Sequence, residues 1–152
     1  MMKRSKTLGR LAWFIFRRTP LTWVLMRFWP PRAYVQIEYD NKVLLVDNWL
    51  GSGKWSFPGG GVHRGEESKV GACREVFEEI GLTLSPSQLK FLTNGFVKYL
   101  FGGKKFVVYK ITLKSKPKIK LDSELNGYAW VSESEIKNYR LTAVVKVALH
   151  RK

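Results

Sequence analysis

Between Pro58 and Leu82 three consecutive glycines run into a segment where two residue patterns both repeat at helical spacing. Cys73, Val76, Phe77 and Ile80 stand at i, i+3, i+4 and i+7, the stripe of a helix that buries one side. Glu75, Glu78 and Glu79 fall on the other side, three and four residues apart, so their carboxylates are expected to converge. Like charges that close repel, and a helix gains nothing from gathering them unless a cation sits between them. Hard divalent cations such as Mg²⁺ and Mn²⁺ take oxygen ligands of this kind. The ordinary alternative is a solvated acidic face. Against it, five of the 12 acids lie between Glu66 and Glu79 in a chain with 27 Lys and Arg and a formal charge of +15.

The turn before the helix sharpens the expectation. Pro58-Gly59-Gly60-Gly61 lets backbone approach closely and leaves carbonyls free to act as ligands, which bulky residues would hinder. Arg74, eight residues after Glu66, is placed to pair with it and tie the loop to the helix, fixing orientation rather than doing chemistry.

At 152 residues the chain is one domain with a single core. From Arg32 it reads as mixed α and β. Strands are expected over Tyr34–Tyr39, Val43–Val46 and Trp55–Phe57, with a turn at Asp40-Asn41. A helix follows over Glu67–Ile80, with Gly81 as its C-terminal cap. Phe91–Leu100 and Lys105–Leu113 read as a hairpin around Gly102-Gly103, and Tyr128–Val131 as a further strand. Ser132 begins a short helix through Tyr139, and Leu141–Leu149 makes a last one. Residues 1–31 form a separate basic arm without acids, with apolar stripes at Leu8, Leu11, Ala12 and Ile15 and at Leu21, Val24, Leu25 and Phe28. The apolar run Leu11–Phe16 is too short and too basic in its flanks for a signal peptide or a membrane span. The arm is read either as packing on its own domain or on a second subunit in a homodimer, or as a peripheral anchor at the inner face of a membrane. The single cysteine, Cys73, allows no internal disulfide, fits a cytoplasmic setting, and sits where core filler belongs. His63 and His150 have no partners that would make a zinc site.

Gly60, five residues, Glu66, seven residues, then Arg74-Glu75-Val76-Phe77-Glu78-Glu79-Ile80-Gly81-Leu82 resembles the Nudix box at all nine of its constrained positions over 23 residues. The approach Trp55-Ser56-Phe57-Pro58-Gly59-Gly60 is similar to that family too. The resemblance implies an α/β/α sandwich with a mixed sheet over residues 32–152, and does not extend to the arm. It implies hydrolysis of a nucleoside diphosphate linked to another group. By the same likeness Glu75, Glu78 and Glu79 would hold Mg²⁺ or Mn²⁺ with the Gly59 carbonyl, and Glu124 would complete the metal site from outside the box. Glu75 would be the general base, and Arg74 would order the glutamates. Such ions neutralise the diphosphate and activate the attacking water.

Marks of substrate are sparse. Val97 stands where a proline would suggest ADP-ribose, and the signatures of the coenzyme A and NADH enzymes are missing beyond Phe57-Pro58-Gly59-Gly60. Tyr99 falls near the tyrosine of the dinucleoside polyphosphate enzymes. Trp49, Trp55 and Phe96 are candidates to stack on a base, or are core. Lysines 98, 104, 105, 110, 114, 116, 118 and 120 would steer polyphosphate or an RNA 5′ end, or simply protect a hairpin edge. The expected substrate is a nucleoside triphosphate or nucleotide derivative. RNA 5′ ends, dinucleoside polyphosphates and a non-catalytic nucleotide-binding module are the alternatives, and the intact glutamates speak against the last.

Overall fold

Asp40 and Asn41 take positive φ angles of 50° and 56°, the backbone a two-residue hairpin turn needs. The chain folds back there, joining β1 (Arg32–Tyr39) to β2 (Lys42–Asn48). These strands pair only at their closed end, Glu38 with Val43 and Tyr39 with Lys42, and then part. Two short strands fill the fork: β3 (Trp55–Ser56) on β2 and β4 (Gly59–Gly61) on β1. Between them the Pro58 carbonyl accepts the Val35 N–H at 2.9 Å. The computed structural model describes residues 30–49, 53–99 and 102–150. The helical arm expected over residues 1–31 lies outside them except for its last two residues.

The other edge of β1 carries β6 (Gly102–Thr112) in parallel, and β5 (Lys90–Tyr99) pairs antiparallel with β6 at the sheet edge. On the far side β2 pairs with β7 (Leu125–Ser132). Strand alternation sorts the side chains into two layers. Ala33, Val35, Ile37, Leu44 and Val46 pack against Ala72, Cys73, Val76 and Ile80 of α1 (Ser68–Ile80). Tyr34, Val43, Leu45 and Val108 pack against Val144, Val145 and Ala148 of α2 (Ala143–Leu149). The result is the expected α/β/α sandwich around a mixed sheet. No helix among the described residues is long and apolar enough to cross a membrane.

Several local expectations need correction. The glycines 59–61 are not a free turn but strand β4, held by β1. Gly102 and Gly103 lie within β6, opposite Tyr99 and Lys98, rather than at the hairpin's tip. The helix expected from Ser132 to Tyr139 shrinks to one 3₁₀ turn, Ile136–Asn138. Ser132 does bond the Glu135 carboxylate, but too few apolar residues follow to bury a longer helix. Phe77, placed in the buried stripe, is 57% exposed, whereas Glu79 is buried. The buried face of α1 keeps Cys73, Val76 and Ile80 of the apolar stripe but is turned enough to take in Glu79 and release Phe77.

Candidate active site

That rotation makes the site. α1 lies over the fork, its C-terminal half against β4, and ends at Gly81, whose φ of 68° lets its N–H bond the Phe77 carbonyl. Turned inward, Glu79 reaches the backbone: the Gly59 N–H donates to its Oε2 at 2.8 Å. One turn earlier Glu75 lies against Gly60, where a Cβ would overlap its carboxylate. Gly59 has φ of 137°, and a Cβ there would strike the Ala33 carbonyl of β1. The two glycines therefore bring strand backbone into contact with acids of the helix, which residues with side chains would prevent.

Arg74 orders the outer part. Its Nε and Nη2 donate to the two Glu66 oxygens at 3.0 and 3.1 Å, and Nη2 also donates to the Gly61 carbonyl at 2.8 Å. Nη1 donates to Glu75 at 3.0 Å and to Glu78 at 2.9 Å. The expected Arg74–Glu66 pair is present, and the same guanidinium spans loop, strand and helix. The fork of Arg74 and the His63 N–H hold the Glu66 carboxyl down to about 2.

The electrostatics centre on Glu79. Burial pushes its carboxyl up to about 8 against the Gly59 N–H, and the charges of Glu75 and Glu124 push the same way. Glu124 thus lies within electrostatic reach of the helix acids. It comes there because the Trp49 N–H bonds its carbonyl at 2.8 Å, and the Asp122 N–H bonds the Glu79 carbonyl at 3.0 Å. The full convergence expected of Glu75, Glu78 and Glu79 is not seen. Among the described residues no three acid, cysteine or imidazole side chains are grouped so as to hold an ion. Arg74 draws Glu78 outward, and Gly59 holds Glu79 inward. Gly59 meets the acids through its N–H; its carbonyl was the atom expected from sequence.

The residues named for substrate are dispersed. Trp49 adjoins Glu124 through its backbone. The Trp55 ring stands edge-on to Tyr139 at 5.2 Å, joining β3 to the approach to α2. Tyr99 ends β5, and its side chain lies outside the described residues. A cleft of about 530 Å³ opens elsewhere, lined among others by Pro31, Arg32, Ser68, Asn94, Phe96 and Lys105. Phe96 is 55% exposed there. Arg32 and Asn94 were not singled out from sequence, since only strand register brings them together.

A buried carboxylate among other carboxylates, at a glycine-lined strand edge, is a setting for a hard cation and a polyanion. Comparison with known proteins identifies the family. The family model described as NUDIX domain matches residues 29–151. The chain belongs to the Nudix hydrolase family. It is 29% identical over 117 residues to a nucleoside triphosphatase NudI of Klebsiella pneumoniae (strain 342), covering 72% of this chain and 83% of that one. The crystal structure of a MutT Nudix hydrolase from Burkholderia pseudomallei matches with a TM-score of 0.69 at 20% identity, covering 80% of this chain and 96% of that chain. The MutT protein from Methanosarcina mazei Go1 matches at 0.66 and 25% identity, covering 80% and 93%. This Nudix hydrolase therefore has the family's fold as well as its sequence motif.

Proposed function

We propose that this Nudix hydrolase is a pyrophosphohydrolase that uses Mg²⁺ or Mn²⁺ to cut a phosphoanhydride bond in a nucleoside triphosphate or related nucleotide. The observation that carries the reading is the buried Glu79 carboxylate at the Gly59 N–H, under the charges of Glu75 and Glu124. The resemblance to nucleoside triphosphatases supports the substrate class.

The donor set suits the ion. Carboxylate oxygens are the ligands hard divalent cations take, and the missing Cβ of Gly60 leaves room beside Glu75. Glu75, Glu79 and Glu124 would hold the metal, with Glu78 swinging in from Arg74 and the Gly59 carbonyl as a further ligand. Bound there, a divalent ion would neutralise the diphosphate and make water a nucleophile at neutral pH. Arg74 keeps Glu75 aimed at the fork, and Glu75 is the base that takes the proton from the attacking water. Glu66 holds Arg74 in place through two parallel bonds, so its part is orientation. Glu79 would release its proton to solvent on taking up the ion, so that the buried carboxylate and the cation offset one another.

A screen of nucleotides with Mg²⁺ or Mn²⁺, measuring phosphate and pyrophosphate separately, tests the reading. Turnover is expected on at least one nucleotide, to cease in excess chelator, and to fall by at least 100-fold in Glu78→Gln and Glu79→Gln with the fold intact, roughly the scale of a lost general base or charge-stabilising group. Activity unaltered by chelator or by both substitutions would refute it.

A further inference from the structure

Between Glu79 and Asp122 the chain carries nine lysines and no acid. The last of that stretch, residues 113–121, leaves the end of β6 as irregular chain and crosses the C-terminal end of α1. Two backbone bonds fix it there: the Lys120 N–H donates to the Ile80 carbonyl and the Asp122 N–H to the Glu79 carbonyl, both at 3.0 Å. From Lys116 onward burial alternates residue by residue, as it does along a strand. Ile119 and Leu121 pack on the core layer beneath α1 and Pro117 is half-buried, while Lys116, Lys118 and Lys120 stand exposed. Among the described residues none of the three makes an ion pair.

Three like charges fixed in one row repel one another, and a polyanion laid along them relieves the repulsion and releases its own counterions. The row runs up to an aromatic ring. A Cβ on Gly81 would lie 3.2 Å from the Lys120 Cβ, and Phe77, four residues before Gly81 and so on the same face of α1, is 57% exposed. Cations in single file beside an exposed ring suit a single-stranded nucleic acid, whose phosphates track the charges while a base stacks on the ring. An anionic membrane is held instead by cations around exposed apolar residues. Ile119 and Leu121, which alternate with these lysines, are turned toward the core.

We propose that Lys116, Lys118, Lys120 and Phe77 form a binding surface for single-stranded nucleic acid. The lysines take phosphates of the backbone, and Phe77 takes a base in stacking contact. No base edge is read, so binding tolerates sequence. The surface does not depend on hydrolysis: a strand that lies on it is bound whether or not the glutamates turn over nucleotides.

The test is fluorescence anisotropy of a labelled single-stranded oligoribonucleotide of about 12 nucleotides, within the length such surfaces cover. It is titrated with the full chain in chelator, so that no metal-dependent turnover intervenes. Lys116→Gln, Lys118→Gln and Lys120→Gln combined are expected to weaken binding about 30-fold, at roughly threefold for each exposed contact. The slope of log affinity against log salt is expected to fall by about 2 in the same variant. Lys42→Gln, Lys137→Gln and Lys146→Gln combined remove the same charge from β2, the 3₁₀ turn and α2, and are expected to leave affinity within about threefold. Phe77→Ala is expected to weaken binding about tenfold, the scale of one lost stacking contact, with the salt slope unchanged. Equal losses in the two lysine sets would make net charge the cause and overturn the surface. No binding by the unaltered chain, or unchanged affinity in Phe77→Ala, would overturn it too. So would a variant lacking Lys116, Lys118 and Lys120 that keeps its affinity for the oligonucleotide and loses only that for phosphatidylserine vesicles.

Discussion

At the scale of single residues, Glu79 is a carboxylate placed where it is costly to ionise. It is 9% exposed, and its carboxyl is pushed from 4.5 to about 8 by burial first and by neighbouring acids after. The folded chain therefore holds this proton more tightly than the unfolded one. The stability it contributes is complete below about pH 4.5 and is lost as pH rises through about 8. The metal-free protein is expected to melt progressively lower between pH 5 and 8.5, by on the order of a few kcal/mol in stability. Glu79→Gln should flatten that slope, and Mg²⁺ should raise the melting temperature more at pH 8 than at pH 6. A slope equally steep in the variant would show that Glu79 is not its source. Gly60 makes a second test. Gly60→Ala would drive a methyl group into the Glu75 carboxylate, so the fold should survive with a loss of about 1–3 kcal/mol. Turnover should fall much further, by roughly 100-fold, because the displaced group is the proposed base. Melting curves and steady-state rates separate the two effects.

At the scale of elements, α1 shows what the sequence does and does not announce. The spacing of its apolar and acidic residues, and Gly81 after them, defined the helix within one residue. Its orientation was legible only in part: Cys73, Val76 and Ile80 are buried as the apolar periodicity requires, but the same periodicity assigned Phe77 to the core. The fork between β1 and β2 overrides that pattern: Gly59 and Gly60 leave no side chains to meet, so the helix turns its acids toward them. Val76 is fully buried, and Phe77 is 57% exposed. Val76→Ala is therefore expected to cost about 1–3 kcal/mol, and Phe77→Ala, although it removes far more surface, within about 0.5 kcal/mol. Denaturant titration of the two variants decides it, and a larger loss for Phe77→Ala would mean the helix sits in the orientation its apolar pattern suggests. The strands were harder to bound for a related reason. β4 is three glycines, with no alternation to read. Its strand character comes wholly from β1, through Arg32, Ala33 and Tyr34. Of the box glutamates, the approach of Glu75 and Glu79 to the glycines was legible and the outward turn of Glu78 onto Arg74 was not, whereas Arg32 and Asn94 became visible only once β6 lay parallel to β1.

At the scale of the whole molecule, the chain carries a formal charge of +15, while five of its 12 acids fall between Glu66 and Glu79, the stretch that supplies the proposed metal site. Without metal that site repels a polyphosphate that the rest of the surface attracts. With the proposed metal bound, the two fields would agree, and the surplus of lysine and arginine would draw the substrate in from a distance. Attraction of that kind is screened over about 8–10 Å at ionic strengths near 0.1–0.15 M, whereas contacts at the partly buried glutamates are much less so. Salt should therefore act on capture rather than on chemistry. Raising ionic strength at saturating Mg²⁺ is expected to lower kcat/KM for a nucleoside triphosphate by about tenfold across the range where the screening length falls from roughly 30 to 8 Å. Over the same range kcat should change by less than about twofold, since the bound complex no longer depends on steering. The effect should be smaller for a nucleoside diphosphate sugar, which carries less charge into the same field. If kcat fell in parallel with kcat/KM, salt would be loosening the metal or the fold, and the basic surface would be solvation rather than a device for gathering polyanions.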